Sequence, residues 1–129
     1  MEVFKAFQNE AGMDIGFMFR CPGCIKHHEY LTGIHAVHVA DRNVCGAQWS
    51  WNGNLYLPTL SPSVKETMRL DKDAATDMLY LHDSSVRDVG DYSYVCHFFI
   101  VDGKFNYCGD CSHAMAGMQG VPMLPWENN

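Results

Sequence analysis

Two short cysteine motifs carry the most specific chemistry in the sequence. Cys21 and Cys24 lie in CPGC, and Cys108 and Cys111 lie in CGDC, so each motif is a C-x-x-C pair with a glycine inside the bend. A bend of this length lets both sulfur atoms point at one ion, and two such knuckles supply the four thiolates of a tetrahedral zinc site. The spacing therefore predicts a zinc site formed by Cys21, Cys24, Cys108 and Cys111.

Other interpretations of these thiols remain open at this point. A thioredoxin-like redox pair would need its C-x-x-C motif between a strand and a long helix, and neither motif has that setting. The cysteines could also be free core residues. In a mixed site, His97 or His113 would replace one thiolate. Cys96 is interpreted as a core residue rather than a ligand, and Cys45 as an ordinary thiol.

Length and composition limit the classes of protein that can present these motifs. The 129 residues predict a single domain over 1–129. The net charge of −6 argues against general nucleic-acid binding, because phosphate backbones select basic surfaces. No apolar run approaches the length of a membrane span, and the N-terminal residues do not resemble a signal peptide. We therefore expect a cytoplasmic protein whose cysteines stay reduced.

Short strands between turns are the elements that must position these residues. The fold class predicted is mainly β with short helices (α+β), a small domain of antiparallel hairpins stapled by the zinc knuckles. The proline pattern of LPTLSPS indicates an extended, irregular connection. The predicted elements are a strand at 34–40, a hairpin at 47–57 turning at Asn52-Gly53, a short helix at 71–83 and one helical turn at 112–117.

A second hairpin, over residues 94–108, brings one histidine beside one cysteine. Asp102-Gly103 is a dipeptide suited to a two-residue turn. Counting back from that turn pairs His97 with Cys108, and directly opposed residues share one face of a sheet. Cys96 then points to the other face, because side chains alternate along a strand. A bulge would exchange the positions of Cys96 and His97.

Three polar residues beside the predicted metal are candidates for proton transfer. His97 and His113 could each be a metal ligand, a group that hydrogen-bonds to a ligand, or a general acid or base. Asp110 is a third candidate for handling protons. The alternative for Asp110 is that it caps the turn at 112–117. In an enzyme, Ser61 or Ser63 would help to bind the substrate.

The order of these motifs resembles one family. The series CPGC, WSWNG, PTLSPS, CHFFIVDGKFNYCGDCSHAMAG and VPMLPW is similar to the DUF6527 family of small phage and bacterial proteins, over roughly residues 17 to 126. Many members carry an automatic ammonia monooxygenase label, which would require copper and transmembrane helices. Relatives often have an apolar residue at the position of Cys108, so the resemblance allows His97, Cys96 or His113 as the fourth ligand. Its association with ubiquitin-like conjugation genes implies a peptidase or adaptor role and a protein partner.

Two functions follow from these observations. Four thiolates leave zinc no open position, which favours a structural ion in a protein-interaction module that binds a host or defence factor or a ubiquitin-like system component. Alternatively, three protein ligands and a water molecule would make a zinc-dependent hydrolase or peptidase. In that case His97, Asp110 or His113 would handle protons.

Overall fold

The computed structural model describes residues 1–25, 33–70 and 92–126 of the chain. In these residues nearly all regular structure is antiparallel β-sheet, with one four-residue helix, so the predicted mainly β fold class is confirmed. No helix in this part of the chain is long and apolar enough to cross a bilayer. The elements are β1 (Lys5–Gln8), β2 (Asp14–Arg20), α1 (Pro22–Ile25), β3 (Ile34–His38), β4 (Ser50–Trp51), β5 (Leu60–Ser61), β6 (Val64–Leu70), β7 (Tyr92–Val101), β8 (Lys104–Tyr107) and β9 (Val121–Pro122).

The first sheet has the strand order β1-β2-β3 and presents the CPGC motif to the core. β3 confirms the strand predicted at 34–40 and pairs antiparallel with β2. Gly16 is required in β2, because a Cβ atom there would lie 2.1 Å from the carbonyl oxygen of Val37. α1 follows β2 directly, so Cys21 and Cys24 sit at the end of the sheet and are buried.

The second sheet, of order β6-β7-β8-β9, confirms the predicted hairpin register. Val101 pairs with Lys104, which leaves Asp102 and Gly103 as the loop. Their φ angles of 48° and 74° are both positive, as a type I′ turn requires. The Cys108 N–H donates to the carbonyl oxygen of His97 at 2.9 Å, which continues the ladder beyond β8.

The hairpin predicted at Asn52-Gly53 is wrong in its register. β4 pairs with β5, so residues 52–59 form a longer loop and the proline-rich segment contributes a strand. Asparagine side chains direct this loop: the Asn54 Oδ1 atom accepts the backbone N–H groups of Tyr56 and Leu57 at 2.8 and 2.9 Å. These Asx turns replace the ladder hydrogen bonds that a tight hairpin would have made.

Two helix predictions have different outcomes. The helix predicted at 71–83 lies outside the described residues. Residues 112–117 form a bend followed by a turn rather than a helix, with the Ala116 N–H donating to the His113 carbonyl oxygen at 3.2 Å. Gly117 ends this segment with a φ of 78°, a conformation that favours glycine.

Aromatic rings from both sheets form the core between them. Phe19 of the first sheet contacts Phe98 and Phe105 of the second, with ring centroids 5.9 and 6.1 Å apart. Phe105 stacks on Tyr107 at 5.0 Å. The buried apolar residues are Val3, Phe4, Phe17, Phe19, Cys21, Cys24, Val37, Leu60, Val64, Tyr94, Cys96, Phe98, Ile100, Phe105, Tyr107 and Met123.

Adjacent phenylalanines in β7 give a matched test of this core. Phe98 is fully buried, whereas Phe99 is 47% exposed on the other face. We expect Phe98→Ala to lower the free energy of unfolding by about 3–5 kcal/mol, because it leaves a cavity. Phe99→Ala should change it by less than about 1 kcal/mol. Denaturant unfolding measures both, and equal losses would contradict the described facing of β7.

Candidate functional site

Strand β7 carries two adjacent residues that belong to different clusters on its two faces. Cys96 is 1% exposed and lies among other thiols and imidazoles. His97 points to the opposite face and is partly exposed to solvent. The alternation of side chains along a strand separates these environments. The site therefore consists of a polar cluster around His97 and a buried thiol cluster around Cys96.

The polar cluster has the geometry of a serine nucleophile with its base and orienting carboxylate. The Ser63 Oγ atom lies 3.2 Å from His97 Nε2. The other ring nitrogen, Nδ1, lies 3.0 and 3.1 Å from the two carboxylate oxygens of Asp110. Ser–His–Asp triads occur on unrelated folds and are recognised by these contacts rather than by sequence order. We refer to Ser63, His97 and Asp110 as the triad.

Sheet register explains why Ser63 meets His97. Lys65 of β6 pairs directly with His97, and Ser63 lies two residues before Lys65, on the same face. A diagonal neighbour at this spacing is within reach across an antiparallel pair. The Trp49 Nε1–H donates to the carbonyl oxygen of Ser63 at 3.1 Å. This bond fixes the backbone of Ser63 just before β6 begins.

Asp110 reaches His97 from the turn that follows β8. Its side chain also lies 3.4 Å from Lys65 Nζ. Some desolvation raises the pKa of Asp110, but the hydrogen bond from His97, the charge of His97 and the contact with Lys65 outweigh it. The pKa of Asp110 is therefore lowered. Asp110 stays ionised and can hold the Nδ1–H tautomer of His97, which leaves Nε2 free to accept a proton.

The sulfur of Cys111 ties this turn to β7. The backbone N–H of His97 donates to Cys111 Sγ at 3.2 Å. Hydrogen bonding to Cys96 lowers the pKa of Cys111 most, burial raises it, and His113 lowers it further, to about 5. Ser112 adds two bonds to Val95, one through its N–H and one through Oγ, both 2.8 Å long. Asp110 is therefore held by neighbours that are bonded to the backbone of β7.

The buried thiol cluster contains four donors that could hold a metal ion. The ligand atoms of Cys21, Cys24, His35 and Cys96 all lie within 4.8 Å of one another, and all four residues are buried. Cys21 Sγ is 3.8 Å from Cys96 Sγ. Cys24 Sγ is 3.7 Å from His35 Nε2.

These distances and donor types fit zinc. A tetrahedral ion with Zn–S bonds near 2.3 Å separates its sulfur ligands by about 3.8 Å. His35 Nδ1 is hydrogen-bonded to the Glu66 carboxylate, the usual outer partner of a zinc-bound imidazole. Burial lowers the pKa of His35, but Cys21, Cys24 and Glu66 raise it well above its ordinary value. Burial raises the pKa of Cys21, but hydrogen bonds from Cys24, Cys96 and the histidines lower it overall. A bound cation would stabilise the thiolate form of Cys21, which these neighbours favour. It would also have to displace the proton of Cys96, because hydrogen bonds with Cys111, Cys21 and Cys24 raise the pKa of that thiol.

His113 is buried against the same cluster but presents the wrong nitrogen for ligation. Its Nδ1 accepts the backbone N–H of Met115 at 3.2 Å, so Nε2 carries the proton. Nε2 lies 3.3 Å from Cys96 Sγ and donates to it. Burial lowers the pKa of His113, while Cys111 and Cys21 raise it to about 9, and a bound dication would offset those thiolate charges. A Cβ atom on Gly23 would lie 2.4 Å from this ring, so only glycine fits there.

Two tyrosine hydroxyls complete the surroundings of the thiols. Tyr94 Oη lies 3.1 Å from Cys24 Sγ, and Tyr107 Oη lies 3.1 Å from Cys21 Sγ. Burial, together with the neighbouring sulfur atoms, raises the pKa of both tyrosines, so both hydroxyls keep their protons and donate. Donors of this kind stabilise a charged sulfur in an apolar core.

The structure distributes the predicted site residues over three groups. Cys21 and Cys24 lie together as expected, Cys111 lies with Cys96 and His113, and Cys108 lies with His97 and Asp110. The four-cysteine set is therefore not gathered into one group, because Cys108 shares the outward face of the hairpin with His97. The predicted pairing of His97 with Cys108 is confirmed, and it is this pairing that directs Cys108 away from the buried thiols.

Three residues make contacts that the spacing of residues does not predict. Cys96 lies in the core as predicted, and its sulfur also lies within 4.8 Å of the ligand atoms of Cys21, Cys24 and His35. The sequence suggests only substrate binding for Ser63, because the position of Ser63 beside His97 depends on the pairing of β6 with β7. No sequence motif marks His35 as a metal ligand, because its partner Glu66 lies 31 residues away in the chain.

Comparison with known proteins yields one family. A family model described as BubE, a bacterial ubiquitination-like system serine protease, matches residues 4–108. That segment contains Ser63, His97 and the thiols of the CPGC motif, and it ends two residues before Asp110. The searches of curated proteins and of solved structures gave no match.

This finding corrects the recognition drawn from the motif order. The matching family is BubE rather than DUF6527, and nothing supports an ammonia monooxygenase label. The match spans most of the chain, and the family description agrees with the serine-centred geometry of the site. The chain belongs to the BubE family, described as the serine protease of a bacterial ubiquitination-like system.

Proposed function

We propose that the protein is a serine protease in which Ser63 is the nucleophile, His97 the general base and Asp110 the residue that orients His97. The contact that carries the proposal is the 3.2 Å approach of Ser63 Oγ to His97 Nε2, with Asp110 on the opposite ring nitrogen. An isolated serine hydroxyl is a weak nucleophile and needs an adjacent base.

The triad supports acyl transfer in two stages. His97 Nε2 takes the proton of Ser63 while Oγ attacks the substrate carbonyl carbon, and it then returns that proton to the leaving amine. Water repeats these steps on the acyl-enzyme and releases the carboxylate product. Asp110 stabilises the imidazolium formed in each stage, because its carboxylate accepts the Nδ1–H.

A zinc ion, in this proposal, is structural. Cys21, Cys24, His35 and Cys96 would fill its coordination sphere, so it would have no open position for water. The ion would fix the end of β2, β3 and β7 relative to one another. Because Cys96 precedes His97, the metal site also sets the position of the catalytic base. This replaces both the zinc hydrolase and the interaction module as the preferred function.

The substrate class follows from the family description. A protease of a ubiquitination-like system would cleave the bond that joins a ubiquitin-like protein to its target, or a precursor extension of that protein. The protein partner is therefore the conjugate itself.

Ser63→Ala tests the nucleophile, with Ser61→Ala as its matched control. We expect Ser63→Ala to lower the rate of conjugate cleavage by at least about 10³-fold, because no other hydroxyl contacts His97 Nε2 in the described residues. Ser61 is exposed and pairs with Ser50 of β4, so Ser61→Ala should keep the activity. Labelling by a fluorophosphonate probe gives a second measurement, and Ser63→Ala should abolish it.

Asp110→Asn tests the orienting carboxylate. An amide can present its N–H groups to His97 and thereby stabilise the wrong tautomer, so we expect kcat to fall by about 10⁴-fold. The fold should be retained, because Asp110 is exposed. Full activity of Asp110→Asn, measured on the same conjugate, would remove this residue from the mechanism.

Metal analysis of histidine variants tests the ligand set. We expect the purified chain to contain one zinc ion, and His35→Ala to lose it. His38 lies on the same strand but contacts Asp41 at the surface, so His38→Ala should retain the ion. The same contrast applies to buried Cys96→Ser and exposed Cys45→Ser. Retention of zinc by both His35→Ala and Cys96→Ser would contradict the set.

A further inference from the structure

The outward face of β7 holds a second group of donors for a metal ion. Ligand atoms of His97, Cys108 and Asp110 lie within 4.8 Å of one another. Unlike the thiol cluster, this group opens to solvent: the side chain of His97 is 23% exposed, and that of Asp110 is 44% exposed. We propose that a second soft divalent cation, Zn²⁺ or Cd²⁺, binds His97, Cys108 and Asp110 and switches the protease off. This inhibition rests on the proposed function, whereas the binding site does not.

The donor set selects the class of ion. A thiolate, an imidazole and a carboxylate are the protein ligands of zinc, and Cd²⁺ shares the preference for sulfur. Mg²⁺ and Ca²⁺ prefer sites made of oxygen atoms. Three protein ligands leave at least one position for water, as expected for a site that is open to solvent.

Ligation changes the tautomer on which catalysis depends. In the active form, His97 Nδ1 donates to Asp110 and Nε2 accepts the proton of Ser63. An ion between Asp110 and Cys108 takes the Nδ1 lone pair. His97 then loses the proton on Nδ1 and gains one on Nε2, so the imidazole stays neutral. The Cys108 thiol releases one proton to water when it becomes a ligand. With Nε2 protonated, His97 cannot act as the base for Ser63.

Lys65 is a positively charged group that would repel this ion. Its Nζ atom lies 3.4 Å from Asp110 Oδ2, and it has no lone pair to donate while protonated. An entering cation must displace Lys65 or accept its repulsion. Lys65 therefore sets the concentration at which the ion binds, and Lys65→Met should tighten binding severalfold.

Metal titration of the zinc-loaded chain tests the binding site without reference to activity. We expect Cd²⁺ added beyond the structural ion to give a sulfur-to-cadmium absorbance band and one further bound equivalent. Cys108→Ser should weaken that binding by at least about tenfold. Cys45→Ser removes a distant, exposed thiol and should bind the second equivalent as the parent does. Unchanged binding in Cys108→Ser would overturn the site.

Hydrolysis measurements test the consequence. We expect added Zn²⁺ to inhibit cleavage by the parent chain and a chelator of modest affinity to restore it. Cys108→Ser should cleave at the parent rate without added metal and resist inhibition. Binding of the second ion with undiminished cleavage would overturn the inhibition. If the protein binds the second ion but cleaves no conjugate, the result would contradict the proposed protease function and leave the metal site at Cys108 intact.

Discussion

Side-chain alternation along β7 is the constraint on which the arrangement of the site depends. Cys96 and His97 are adjacent in sequence, but the pleat sends one into the buried thiol cluster and the other to the partly exposed triad. A strand that is held rigidly on one face cannot shift its opposite face without breaking those contacts. The buried cluster can therefore fix the position of His97, the proposed base.

In the turn after β8, two adjacent residues also face opposite sides. Asp110 contacts His97, and the next residue, Cys111, turns inward and accepts the backbone N–H of His97. The orienting carboxylate and the base are thus connected twice, once through side chains and once through a sulfur–backbone hydrogen bond. Such a supporting shell keeps a catalytic geometry within the narrow tolerance that proton transfer requires.

In the proposed function, the serine-centred geometry replaces both functions that the motifs allowed. A four-donor metal site has no open position and explains the knuckle chemistry without a catalytic ion. In the proposed function, catalysis then belongs to residues outside that sphere. The description of the BubE family agrees with this division, since it names a serine protease. Cys108 was predicted as a zinc ligand but lies outside the buried cluster. In the further proposal, it binds a second metal ion together with His97 and Asp110.

Local sequence was sufficient where neighbouring residues determine the structure. Asp102-Gly103 specified a two-residue turn, and from it followed the pairing of His97 with Cys108 and the opposite facing of Cys96. The CPGC motif likewise predicted that the sulfur atoms of Cys21 and Cys24 lie together. The turn at Asn52-Gly53 had the same local signal, but Asn54 formed competing hydrogen bonds with the backbone, so dipeptide preference did not decide it.

Only the tertiary structure decided which residues from different elements meet. Ser63 becomes a nucleophile candidate because β6 pairs with β7 in one particular register. His35 joins the thiols because β3 lies across the core from β7, with Glu66 of β6 on its outer nitrogen. Neither contact leaves a signal in the spacing of residues, since both arise from sheet pairing and core packing between distant segments. The sequence determined the chemistry available to the protein, and long-range packing selected the residues that share each site.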